Sequence, residues 1–349
     1  MPRLSSEKFY EIINNLSGTD KFNKEKLERR IPRVENWHHG KNKTWKKLYR
    51  KKSVSPQPDN LYELYLDKPT IRVLNIHAHN GCNLACKGCN HNSSFLAPGS
   101  SVNVDMMIKD IETILPRINV WSHISVLGGE PLLEPRCEEL LTAVEKNYDG
   151  RIKLYSNATL LYENREWIVK HMNKGVKLYV SLHTKPTSKS GKILYRNVEK
   201  FIEYAKDKTD LQEHLHINEA WADIWFDIVK DEGDKIYPFN DNNIDESWNN
   251  CTCPNPQLYA GMIWKCPIIA YLRETISSTG QLDDPAWKPY LQYLGTPVDA
   301  PIEDLFKMAD QTLLPHKMCN MCPSNPEWHY AHQQIEASKK NKVGQFVYD

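Results

Sequence analysis

The sequence predicts an α/β fold built on a parallel sheet, and three observations predict it. Strand-like runs alternate with helix-like stretches from residue 71 to about residue 218. The segments between strands are long enough for helical crossovers, which parallel strands require and hairpins do not. The chain has 349 residues, 40% of them hydrophobic and 26% charged, which is ample for one large core or two domains.

The strands are expected at Ile71–Ala78, His123–Leu127, Ile152–Tyr155, Lys177–Leu182 and, more weakly patterned, Glu213–Asn218. Helices are expected at Val104–Leu115, Arg136–Asn147, Asn164–Asn173 and Asn197–Asp207. In the first helix Met107, Ile108, Ile111 and Ile114 recur at helical spacing and mark a buried stripe. Residues 1–70 read as an N-terminal extension, punctuated by Pro56 and Pro58. Within it Lys41–Lys52 holds seven basic residues and no acid, interleaved with Trp45 and Tyr49. Such a stretch suits nucleic acid or an acidic peptide, and equally a solvated helix face whose aromatics pack inward. Residues 71–235 form the expected core and 236–349 a loop-rich second region.

A net charge of +1 argues neither for nor against a polyanionic partner, and no apolar run approaches the roughly 20 residues of a membrane span. The N-terminus lacks an apolar signal core, so the expected location is the cytoplasm. In that compartment cysteines serve as metal ligands or free thiols more often than as disulfides. Eight of the nine cysteines fall in two groups, which favours metal.

The first group is Cys82, Cys86 and Cys89, spaced C-x3-C-x2-C on the loop after the first strand. Loops at the carboxyl ends of parallel strands build active sites. Three thiolates hold three irons of a [4Fe–4S] cube and leave the fourth open to a small molecule, whereas ferredoxin-type carriers supply four. Taken alone, the spacing also fits a zinc site or a structural cluster.

Further motifs follow in order. Val126-Leu127-Gly128-Gly129-Glu130-Pro131 comes after the second strand, Ser156-Asn157-Ala158-Thr159 after the third and Ser181-Leu182-His183 after the fourth. With the cysteine triplet, this series over about residues 71–185 resembles the radical S-adenosylmethionine (SAM) superfamily. The resemblance implies a partial (β/α)6 TIM-like barrel. It implies SAM at Gly128, Gly129, Glu130 and Pro131, with its ribose near Ser156, Asn157 and Ser181, and a cluster on Cys82, Cys86 and Cys89. It also implies reductive cleavage of SAM to a 5′-deoxyadenosyl radical that abstracts hydrogen from a substrate, with electrons from a donor such as flavodoxin or ferredoxin. One departure stands out: Gly88 occupies a position where many members carry an aromatic residue.

The second group is Cys251, Cys253, Cys266, Cys319 and Cys322. Cys251-x9-Gly261-x4-Cys266 resembles the signature of the auxiliary-cluster domains called SPASM and twitch, with Tyr259–Trp264 reading as a hairpin. No cysteine follows Cys322, so the resemblance is to the shorter twitch type, with four thiolates and a second [4Fe–4S] cluster. Either Cys251 or Cys253 is the first ligand. Two separated cysteine pairs also describe a zinc ribbon. Cys137, within a helix, reads as a buried thiol.

His91 and Asn92 either face the cofactor cavity or order the cysteine loop. His183, His216, Asp223, Trp225 and Asp227 are candidates for a substrate-side role, each with a structural alternative. The expected function is radical oxidation or epimerisation of a small polar substrate, a carbohydrate derivative among the candidates. Radical modification of a peptide or RNA is the alternative enzyme. A non-catalytic iron–sulfur or zinc module is the alternative from another class.

Overall fold

The structure is a computed structural model that describes residues 68–330 apart from Pro98, 221–223 and Asp234. The basic stretch Lys41–Lys52 and the candidate Asp223 lie outside the described residues. Five βα-type strands run in sequence order across one sheet: β1 (Thr70–His77), β2 (Asn119–Leu127), β3 (Ile152–Ser156), β4 (Lys177–Ser181) and β5 (Leu215–Asn218). Every adjacent pair among them is parallel. The crossovers carry α1 (Val104–Ile114), α2 (Cys137–Asn147), α3 (Arg165–Met172) and α4 (Lys189–Ala205).

The expected α/β architecture is present, a mostly parallel sheet of eight strands. The other three strands come from the second region: β6 (Gln257–Tyr259), β7 (Met262–Trp264) and β8 (Thr296–Pro297). The sixth parallel strand does not follow β5. β6 instead lies against β1, pairing Asn75 with Gln257 and Ile76 with Leu258, and β7 and β8 continue the sheet antiparallel. The loop-rich region therefore shares the core's sheet. Arg117 reinforces the join by donating to the carbonyls of Val298 (2.6 Å) and Ala300 (2.5 Å), beside α5 (Ile302–Thr312).

Alternation along the strands sorts the core. Leu74, Ile76, Ile124, Val126, Leu154, Leu178 and Val180 are buried against the helix-side Ile111, Leu140, Val144, Ile168, Met172, Val198 and Phe201. Each such aliphatic burial stabilises by about 1.5–3 kcal/mol, and Leu140→Ala at this interface is worth about 2–5 kcal/mol. The first helix follows its predicted stripe, with Met107, Ile111 and Ile114 buried and Ile108 partly so. Asn103 caps it by accepting from the Met106 amide at 3.1 Å.

Two boundaries differ from expectation. α4 starts at Lys189, eight residues before the predicted Asn197, because Ser188 accepts from the Gly191 amide (2.9 Å) and the stripe Leu194, Tyr195, Val198, Phe201 already begins there. Glu213 belongs to a helical turn, Leu211–His214, that Asp210 caps through the amides of Gln212 and Glu213; β5 begins only at Leu215.

Candidate functional site

The loop after β1 is fixed mainly by its backbone. The Ala78 amide donates to the Leu127 carbonyl (2.6 Å), and the amides of Asn80 and Gly81 both donate to the Ser100 carbonyl at 3.0 Å. The Gly129 amide donates to His79 O (2.8 Å) and that of Glu130 to Gly81 O (3.0 Å), which stitches the Gly-Gly-Glu-Pro segment to the chain just before the first cysteine. The glycines are required for this contact. A Cβ on Gly128 would lie 2.5 Å from His79 O, and one on Gly129 only 2.1 Å from Gly81 O. The close approach that glycine permits is made here by the cysteine loop itself.

Gly88 has the same kind of cause. It sits at φ +69°, and a Cβ there would lie 2.5 Å from the Phe226 carbonyl oxygen. The Phe226 carbonyl group and the Asp227 nitrogen fill the space a side chain would need, and the strand Ile224–Phe226 pairs with Trp328–Tyr330.

Cys82 and Cys86 are buried and Cys89 is half-buried. Cys82 Sγ accepts from the Leu84 amide (3.4 Å) and from Asn157 Nδ2 (3.6 Å). Cys89 receives the backbone N–H groups of His91, Ser93 and Asn92. N–H···S contacts of this kind set the potential of sulfur-bound iron. Burial pushes the Cys82 and Cys89 thiols up, Glu130 adding to the effect at Cys82, so loading with metal must release protons.

A polar network joins this loop to the next motif. Asn83 Nδ2 donates to Thr159 Oγ1 (2.8 Å), Asn157 Nδ2 to Asn83 Oδ1 (2.9 Å), and Thr159 Oγ1 to Asn157 Oδ1 (2.6 Å). Glu130 accepts from the Asn157 amide (2.7 Å), from Ser156 Oγ (2.9 Å) and from the Leu132 amide (3.2 Å). Burial raises its carboxyl to about 7 against these donors. Ala158 takes the left-handed φ of +71°, a conformation that only glycine adopts without a Cβ penalty.

All three thiols and all seven predicted cofactor residues, Gly128, Gly129, Glu130, Pro131, Ser156, Asn157 and Ser181, line one cavity of about 340 Å³ at the carboxyl ends of β1–β4. A larger cleft of about 910 Å³ opens at the opposite end of the strands, around Trp121, Arg151 and Lys177, and contains none of the motif residues. Among the secondary candidates, His91, His183 and Trp225 line the smaller cavity. Burial lowers both histidines to about 4, so their imidazoles are neutral there at pH 7. Asn92 is buried with φ 53° and shapes the turn around Cys89. Asp227 pairs with Lys87 (3.2 Å), and His216 stacks on Tyr179 rather than lining the cavity. Cys137 is buried in the helix–sheet core.

Several lining residues escaped the sequence reading: Asn75, His123, Ser125 and Tyr155. They occupy alternate positions facing away from the helix-side core, a signal present in the strand pattern once the register is known.

In the second region the hairpin forms as expected. Tyr259 pairs with Met262 across Ala260 (φ 51°) and Gly261 (φ 76°), two consecutive positive φ values that suit a tight twisted turn. Asp110 on α1 accepts from the Gly261 amide at 2.9 Å. The five thiols gather in one apolar cluster with Trp287, Met318 and Met321, Cys319 joining through electrostatic contact with Cys251, Cys266 and Cys322. Cys251 is within electrostatic reach of Cys253, Cys266, Cys319 and Cys322, whereas Cys253 reaches Cys251, Cys266 and Cys322. Lys265, 4% exposed, sits beside Cys319, Cys266 and Cys251; its ammonium donates to the Leu314 carbonyl (2.6 Å) and that of Gln311, and lies 4.2 Å from the Trp248 ring centroid.

Among the described residues no three His, Cys, Asp or Glu side chains converge on one metal-ion position. In a cube each thiolate meets a different iron, and three thiols spaced around one cavity wall, backed by N–H donors, fit that demand.

Residues 76–215 match the Radical SAM superfamily. Over those residues the chain is similar to a radical SAM domain. Solved structures to which this chain is similar include native anSMEcpe with bound AdoMet, at 21% identity over 42% of each chain and a TM-score of 0.33. Another is Streptococcus suis SuiB bound to precursor peptide SuiA, at 21% identity over 58% of this chain and 46% of that one, with a TM-score of 0.35. The chain spans under half the length of these structures. No curated protein matches the chain. No helix among the described residues is long and apolar enough to cross a membrane.

Proposed function

We propose that this chain is a radical SAM enzyme that oxidises or epimerises a small polar substrate, carbohydrate derivatives included, by hydrogen abstraction. The observation that carries the reading is the single cavity shared by Cys82, Cys86 and Cys89 with the four Gly-Gly-Glu-Pro positions and with Ser156, Asn157 and Ser181. When bound, SAM and a reduced [4Fe–4S] cluster supply the radical that breaks an unactivated C–H bond. The protein's part is binding and exclusion. Cys82, Cys86 and Cys89 would hold three irons. The segment from Gly128 to Pro131 would receive SAM's methionine part, and Ser156, Asn157 and Ser181 its ribose side. Glu130, with its oxygens already engaged by Ser156, Asn157 and Leu132, keeps the second and third loops in register with the first.

Residues 71–235 would form the radical SAM core and 236–349 a twitch-type domain. There Cys266, Cys319, Cys322 and one of Cys251 and Cys253 would hold a second [4Fe–4S] cluster; the Cys251-x9-Gly261-x4-Cys266 spacing favours Cys251. Such a cluster would accept the substrate's electron in an oxidation. A reducing cytoplasm and a flavodoxin or ferredoxin as donor suit this chemistry.

Anaerobic reconstitution with iron and sulfide tests the reading. We expect about eight irons per chain and 5′-deoxyadenosine from SAM after dithionite reduction. Two zinc ions with no iron uptake would leave only a non-catalytic module. Titration with RNA or an acidic peptide at low salt separates the macromolecular alternative, which requires salt-dependent binding.

A further inference from the structure

Below the cysteines, the face of the sheet that lines the cavity carries cations and aromatic rings with no acid among them. His123, Ser125, Tyr155 and Ser181 line the cavity. Partners in parallel register share a face, and the register sets Lys153 beside Ser125 and Lys177, Tyr155 beside Tyr179, and Tyr179 beside His216. Read along these alternate positions, β1–β5 present no aspartate or glutamate. Tyr155, Tyr179 and His216 stack in series, with ring centroids 5.0 and 4.4 Å apart.

The charges on this face are unequally satisfied. Lys177 is already paired with Glu213 at 2.8 Å. His123 is bonded through Nδ1 to Ser122 Oγ at 2.9 Å. Lys153 has no ion pair or hydrogen bond among the described residues; its ammonium lies 4.6 Å from the Tyr179 ring centroid. A partly buried ammonium held among other cations is costly unless an anion completes it. The neighbours make that cost visible. Burial, with Arg151 and Arg72 adding repulsion, lowers Lys153 to about 8, and burial with Lys153, Arg72 and Arg151 lowers His123 to about 3. Among the described residues no carboxylate counters either group.

We propose that this face holds an anion subsite next to the cavity lining rather than part of it, in which Lys153, the neighbour of the lining residue Ser125, binds a carboxylate or phosphate group of the substrate while Tyr155, which lines the cavity, and Tyr179 beside it pack against its body. The inference rests on the proposed reading that the cavity holds the reaction, and it narrows the substrate to small organic anions. Lys153 and Tyr155 lie two residues apart on one face of β3, and Tyr155 reaches the wall shared with the thiols. An anion held at Lys153 would therefore direct the rest of the molecule toward the cysteine end.

The test uses the full-length, anaerobically reconstituted chain at pH 7 and constant ionic strength, with sodium phosphate and sodium acetate titrated separately against sodium chloride. Thermal midpoint and tyrosine fluorescence report binding. The expected result is a saturable response to one of the two anions beyond that of chloride, which also identifies the group as phosphate or carboxylate. Lys153→Gln should weaken that response at least 10-fold and Lys153→Arg should retain it. Absence of any response beyond chloride, or wild-type binding by Lys153→Gln, overturns the subsite. Production of 5′-deoxyadenosine by the wild-type chain is measured on the same preparation. SAM cleavage without anion binding removes the subsite alone, and anion binding without SAM cleavage removes the radical reading alone.

Discussion

The loop of Cys82, Cys86 and Cys89 draws three thiols from eight consecutive residues, whereas the second group gathers five from segments spread across residues 251–322. In the first, backbone amides and two close glycine contacts set the sulfurs, so local geometry does most of the positioning. In the second, the segments are brought together by an apolar cluster around Trp287 and by cross-links such as Ser247 Oγ to the Cys322 carbonyl (3.0 Å) and Asn250 Nδ2 to Ser324 O (2.8 Å). A site that must bind and release a small molecule is built on a rigid rim. A site that keeps its ligands closed around a cofactor can be assembled by long-range packing, and its stability is then inseparable from that packing.

The comparison breaks most clearly at the cysteines. Cys86→Ala should lower 5′-deoxyadenosine formation by more than about 100-fold while the second group keeps its iron; unchanged cleavage would show that the triplet is not the cofactor rim. Next come the glycines. Gly129→Ala forces a Cβ to within 2.1 Å of a backbone oxygen and should cost about 3 kcal/mol in urea unfolding. Gly261→Ala meets nothing within 4 Å and bears only the strain of φ +76°, about 1 kcal/mol. Equal costs would remove the distinction between a sterically locked rim and a tolerant hairpin. Lys265→Met strands the carbonyls of Gln311 and Leu314 and removes the cation beside the second group, at about 2 kcal/mol. Iron should then be lost to a chelator faster from that group only, followed by the slow phase of release. The smallest effect is expected at Ala158. Glycine relieves its left-handed backbone and should stabilise by about 0.5 kcal/mol in thermal unfolding, locating strain on the rim.

The rim was legible in the sequence because its parts are short motifs at strand ends, and order along the chain places them at one edge of a parallel sheet. Cys82 to Cys89, Gly128 to Pro131 and Ser156 to Asn157 need only the strand pattern to be brought together. The floor was not legible. His123, Lys153 and Tyr179 acquire meaning only when register makes them neighbours, and nothing local to any one strand fixes register. The role of Gly88 was hidden for a similar reason, since the Phe226 carbonyl that excludes a side chain there lies 138 residues along the chain. Composition alone also gave no hint that the loop-rich segment would enter the core's own sheet, because a three-residue strand such as Gln257–Tyr259 has too few alternations to announce its partner.

That shared sheet limits how the protein can be taken apart. A chain cut after residue 235 would bare the β1 edge, where the Asn75 amide now donates to Pro256 O at 2.9 Å and Ile76 is fully covered. Open hydrophobic edges recruit strands from other molecules. Expression of the residues up to 235 alone is therefore expected to yield aggregates, and a shortened version for laboratory use should keep the 257–264 hairpin as its edge cover.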